Sequence, residues 1–83
     1  MIKVYGYEKD SEKLLELIEV TIQCDVTELE KMIAFLKEAK NQHSKVEDRN
    51  EICHSHYRDW NSKWDKNSAD IIVVTPLVNE GRD

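Results

Sequence analysis

Eight consecutive residues, Cys53-His54-Ser55-His56-Tyr57-Arg58-Asp59-Trp60, bring together a thiol, two imidazoles, a carboxylate, a guanidinium and two aromatic rings. Three kinds of chemistry could use them: metal binding, nucleophilic catalysis and contact with a partner. On an extended backbone, side chains alternate, so His54 and His56 point to the same side. Two imidazoles on one face can reach one ion, and Asp59, Asp65 or His43 could complete its shell. Yet two histidines leave a tetrahedral site half empty, and no C-x-x-C or H-E-x-x-H accompanies them. A small metal-binding protein centred on His54 and His56 is therefore the alternative reading, with any ion there weakly held.

Catalysis has less to recommend it. Cys53 and His54 are neighbours on one strand and point to opposite faces, so they cannot share the hydrogen bond that activates a nucleophile. The 17 acids offer too many pairs for any one to stand out as an acid–base couple. Gly6 and Gly81 are the only glycines, so there is no phosphate-cradling loop. The expectation is of no enzyme and no cofactor.

Partner contact fits best. Aromatic side chains with a polar handle are enriched where surfaces meet. Tyr5 and Tyr7 alternate with the apolar Ile2 and Val4 and so fall on the outer face of a first strand. Tyr57, Arg58, Asp59 and Trp60 supply residue types that often anchor interfaces. These six are the candidate partner-binding residues. Trp60 and Trp64 are also placed to fold under their loop and finish the core.

The elements that must position these residues are legible in the hydrophobic period. Residues 1–7 alternate and predict a strand, with Gly6 at a bulge or close contact. Residues 8–13 are a polar turn. Leu15 to Cys24 alternates again, predicting the second strand of an antiparallel hairpin, with Leu17 on the face of Tyr5 and Tyr7. Thr27-x-x-Glu30 reads as a capping box opening a helix over about 28–43. Its stripe of Leu29, Met32, Ile33, Leu36 and Ala39 is expected to pack on Val20 and Ile22. Residues 44–51 read as a loop and 52–57 as a short strand. Residues 70–75 form a strand of high β propensity, stopped by Pro76. Its apolar residues face both ways, which predicts a central position. The tail over 77–83 is expected to fray. The order predicts a single α+β domain over 1–83, ββαββ, with a mostly antiparallel four-stranded sheet and one helix packed on one face. The other face, with nothing to cover it, predicts self-association into a homodimer, which leaves a homodimeric structural module as a further alternative.

Size and charge narrow the function. At 83 residues the chain supports one small core and no large internal cavity. A net charge of -5 argues against nucleic acid, which demands a basic footprint, and suits a basic partner. No apolar run is long enough for a membrane span, and no export signal opens the chain. The expected setting is the cytoplasm, with Cys24 and Cys53 as reduced thiols.

Glu19-Val20-Thr21-Ile22, the segment Glu28 to Leu36, His54-Ser55-His56-Tyr57-Arg58-Asp59-Trp60 and Asp70-Ile71-Ile72-Val73-Val74 together resemble a group of small bacterial proteins. These are candidate immunity proteins of polymorphic toxin systems. The distinctive part is the His-x-His…Asp element followed by the apolar strand. The resemblance covers most of residues 1–75. It implies non-catalytic binding of another protein, such as a basic toxin domain, and assigns no residue a role.

Overall fold

The structure, a computed structural model, describes residues 1–45 and 53–76. The first strand, β1 (Val4–Tyr7), pairs antiparallel with β2 (Leu14–Leu17) in the register Val4↔Leu17 to Tyr7↔Leu14. The connection turns at Asp10, whose φ of 62° is in the left-handed region that Asp tolerates better than most residues. The Ser11 N–H donates to the Glu8 carbonyl at 3.1 Å and closes the turn. Gly6 answers to a close approach: a Cβ there would sit 3.2 Å from Leu17 Cδ1.

The second strand is shorter than its alternation predicts. Ile18 to Cys24 lie outside any strand: the ladder stops at the Val4↔Leu17 pair, and Met1 to Lys3, which continue that register opposite Ile18 to Val20, are not in a strand either. Without a ladder partner an alternating apolar pattern cannot satisfy backbone N–H and C=O groups as a strand. Leu17 pairs with Val4 and so lies on the face opposite Tyr5 and Tyr7, correcting the expected grouping.

Helix α1 (Val26–Ser44) starts earlier than expected. Its cap is Asp25, not Thr27. The Glu28 N–H donates to Asp25 Oδ1 at 2.7 Å, and the Asp25 N–H donates to Glu28 Oε1 at 2.9 Å, a complete capping box. Both spacings satisfy the motif. The earlier one wins because it extends the helix and sets a carboxylate against the positive end of its dipole.

After residue 52, β3 (Cys53–His56) runs straight into a single turn of helix, α2 (Tyr57–Trp60), and β4 (Ile72–Thr75) returns antiparallel to β3. The fold is α+β, with four strands among the described residues, but those strands form two separate antiparallel pairs and not one four-stranded sheet. β4 is consequently not central. It pairs with β3 alone, and Ile72 and Val74 are exposed. Among the described residues the β1–β2 hairpin has at most marginal contact with α1, α2, β3 or β4. No described helix is long and apolar enough to cross a membrane. The 77–83 tail and most of the 44–51 loop lie outside the described residues.

The core sits where α1 meets β3, α2 and β4. Phe35 and Ala39 are the buried residues of α1, one turn apart, with Phe35 only 2% exposed. The Phe35 ring meets Tyr57 edge-on at 5.3 Å between centroids and Trp60 at 5.8 Å. Trp60 stacks on Tyr57 at 5.8 Å. This overturns the expected helix packing. Leu29, Ile33 and Leu36 remain about half exposed, as do Val20 and Ile22. One aromatic ring that interlocks with two others decides which face of α1 turns inward, in preference to the broader aliphatic arc.

Phe35→Ala is expected to cost about 3–5 kcal/mol, the range for emptying a buried aromatic site. Asp25→Ala should cost about 1 kcal/mol and Thr27→Ala a small fraction of that. Urea midpoints at constant slope check both statements, and a larger loss at Thr27 than at Asp25 would restore the later cap.

Candidate functional site

Asp70 stands just ahead of β4 and organises the end of β3. Its carboxylate is only 18% exposed. Oδ2 accepts from His56 Nδ1 at 3.0 Å, and Oδ1 accepts from the backbone N–H groups of Arg58 at 2.8 Å and Ile71 at 2.9 Å. His56 gives α2 no side-chain cap, so Asp70 supplies a cap from outside the helix. The Tyr57 N–H donates to the Ile71 carbonyl at 2.8 Å and fixes the same junction. A single carboxylate thus ties strand, helix and return strand together.

The same contact settles the state of His56. A carboxylate oxygen only accepts, so Nδ1 must carry a hydrogen, and in the neutral ring Nε2 is left as an acceptor. Among the described residues no hydrogen bond engages Nε2. His54 lies on the same face of β3, its ring 5.6 Å from that of His56, as alternation predicts. Burial raises the Asp70 pKa, but the hydrogen bonds from His56, Arg58 and Ile71 together outweigh it and hold the carboxyl below its ordinary 3.8.

Beside β3 an open groove of about 350 Å³ runs between α1 and α2. Glu38 and Gln42 of α1 form one wall, with Gln42 Nε2 donating to Glu38 Oε2 at 2.8 Å. His54, His56, Asp59 and Trp60 form the other. Phe35 and Ala39 floor it. Trp60 is 39% exposed, so one part of its ring packs on Tyr57 and Phe35 while the rest reaches the groove.

The candidate residues part company here. His54, His56, Asp59 and Trp60 gather at the groove. Arg58 is exposed beside it, its guanidinium 6.0 Å from the centre of the Trp64 ring. Tyr57 is 6% exposed and belongs to the core, where its hydroxyl accepts from Asn61 Nδ2 at 3.2 Å. It cannot meet a partner while the core stays closed. Tyr5 and Tyr7 are exposed on the separate hairpin. Trp64 does fold under its loop, half-buried, its indole N–H donating to the Ala69 carbonyl at 3.1 Å.

No metal shell assembles around the histidines. Among the described residues no three of His, Cys, Asp and Glu gather so as to hold an ion. His43, one conceivable third ligand, is on the other side of the sheet. There Nδ1 pairs with Thr75 Oγ1 at 2.6 Å and Nε2 with Ser55 Oγ at 3.0 Å. Asp65 accepts from the Asn67 N–H at 2.7 Å within its own turn. The Ser55–His43 pair has the spacing of a nucleophile and base. The second nitrogen of His43 meets the Thr75 hydroxyl, not the carboxylate of a Ser-His-Asp triad. His43 works as a cross-brace from the end of α1 to both strands. Cys24 and Cys53 are free and half-buried.

Three residues of the candidate site escaped the sequence. Asp70 looked like the plain start of a strand, and its only signal was a lone acid ahead of an apolar run. Glu38 and Gln42 looked like an ordinary exposed helix face.

Asp70→Asn should remove about 1–3 kcal/mol by spoiling charged hydrogen bonds. A carboxyl lowered by folding contributes stability that is complete above its ordinary 3.8 and is lost as pH falls through the folded value. Stability measured against pH should therefore fall less steeply below about pH 4 in Asp70→Asn than in the parent chain. Equal slopes would refute the role given to this carboxylate.

No family model matches the chain, and neither a curated protein nor a solved structure matches it significantly.

Proposed function

We propose that the chain is a non-catalytic protein-binding domain whose contact surface for a basic partner is the groove beside β3. The observation that supports this most is the make-up of the groove. An anchored but part-exposed indole, Trp60, stands among Glu38, Asp59 and Gln42, beside a histidine held rigid by Asp70. A half-exposed aromatic ringed by polar groups is the usual composition of an interface anchor. The acids and the net charge of -5 favour encounter with a positively charged surface. A toxin domain that carries basic charge for its own substrate is such a partner. The immunity reading, with the chain acting in the bacterial cytoplasm, follows from that complementarity together with the sequence resemblance.

The groove is rigid where contact needs rigidity. Asp70 fixes His56, and Tyr57 and Phe35 fix Trp60, so little side-chain entropy is lost on binding. Among the described residues the metal-binding alternative gains no third donor.

Glu38→Lys combined with Asp59→Lys tests the proposal without touching the core. Co-purification with the product of the adjacent gene is expected for the parent chain. Calorimetry on the double variant should show affinity at least about ten-fold weaker, as for lost interfacial charge pairs, with the thermal midpoint nearly unchanged. Undiminished affinity, or no complex at all with the parent chain, would sink the reading.

A further inference from the structure

Val26, Leu29, Ile33 and Leu36 recur along α1 at intervals of three, four and three residues. That is the a/d pattern of a helix–helix seam, with β-branched residues at a and leucine at d. Their exposures are 72%, 45%, 47% and 47%, so among the described residues Val26 is mostly uncovered and the other three are about half uncovered. The seam lies on a different face of α1 from Phe35 and Ala39, so it does not compete with the core. It is also away from Glu38 and Gln42, so it leaves the groove beside β3 open.

We infer that this seam is covered by the same seam of a second copy, with the two α1 helices antiparallel. Two observations select that occupant and that direction. The first is charge. Asp25, Glu28 and Glu30 crowd the start of α1, while Lys37 and Lys40 flank the far end of the seam. A parallel pair sets acids on acids and lysines on lysines, whereas an antiparallel pair brings Lys37 of one copy level with Asp25 of the other and also aligns the helix dipoles favourably. The layers then alternate, Val26 against Leu36 of the other copy and Leu29 against its Ile33.

The second observation is what lies beyond the seam. Past Leu36, α1 and β4 bound a largely apolar groove of about 410 Å³, lined also by Lys40, His43, Val73 and Thr75. An antiparallel pair carries the residues preceding Val26 of one copy alongside this end of the other. Those residues include Ile22 and Val20, 51% and 54% exposed, which have the size and character to fill the groove. The six side chains from Val20 to Leu36 carry on the order of 600 Å² of exposed surface per copy, so these side chains alone supply at most about 1,200 Å² between two copies, which reaches the lower bound of a stable interface only when all six are covered. The contact is isologous, the commonest form of homodimer. It relocates self-association from the tyrosine face of the hairpin to α1, and it is independent of what binds beside β3.

Sedimentation equilibrium of the parent chain should show dimer at tens of micromolar. Leu29→Glu alone and Ile33→Lys alone should each weaken association by at least about ten-fold while retaining helical circular dichroism, because both positions are exposed in the single chain. Mixed in equal amounts, the two variants should recover a heterodimer, since glutamate at 29 of one copy then faces lysine at 33 of the other. A parallel seam faces 29 with 29 and provides no direct contact between that glutamate and that lysine. A monomeric parent chain at these concentrations, an undiminished dimer in either variant, or a mixture that stays monomeric would overturn the proposal.

Discussion

The Asp70 carboxylate is the constraint on which the β3–α2–β4 half of the molecule depends. Within four residues the chain changes from strand to helix at His56–Tyr57, a junction that exposes helical N–H groups with no side chain of α2 to receive them. Asp70 receives one of them from across the loop and holds His56 with its other oxygen. Burying a carboxylate is costly unless it is fully hydrogen-bonded, and here three donors meet it, enough to keep it ionised below its ordinary range. Once the junction is pinned, Tyr57 and Trp60 are aimed at Phe35. The aromatic cluster then fixes the angle at which α1 lies on the sheet.

The groove is a consequence of that arrangement and not a separate construction. α1 presents Glu38 and Gln42 because Phe35 and Ala39 face inward between them. β3 presents His54 and His56 because Cys53 and Ser55 turn toward α1, where Ser55 meets His43. Stability and surface chemistry are therefore coupled through shared residues. Asp59 and Glu38 are exposed at the groove, where among the described residues their only polar contacts are with neighbours on their own helices, whereas Tyr57 is committed to the core.

Much of this was legible in the sequence. Alternation predicts strands over 1–7 and 52–57, with His54 and His56 on one face, and β propensity predicts one over 70–75; the strands lie within those ranges at Val4–Tyr7, Cys53–His56 and Ile72–Thr75, because local geometry alone decides such matters. The helix was legible from its capping chemistry, but two overlapping boxes, at Asp25 and Thr27, competed, and the sequence does not weigh one extra turn against another. What escaped were the long-range choices. Whether the hairpins join into one sheet depends on pairing that no local pattern records. The apolar arc of α1 was read as core because hydrophobicity marks surface that must be covered without saying by what. Phe35 won the inward face through two rings that lie 22 and 25 positions further along the chain. Asp70 was invisible for the same reason.

The arrangement at Asp70 is open to direct observation through the tautomer of His56. Long-range nitrogen–proton correlation spectra distinguish an imidazole protonated at Nδ1 from one protonated at Nε2. At alkaline pH, with the ring neutral, His56 should be the Nδ1–H tautomer, the minority form of free imidazole, and should lose that preference in Asp70→Asn. An Nε2–H tautomer in the parent chain would mean that Nδ1 does not donate to Asp70, and the carboxylate would not hold the site together as described.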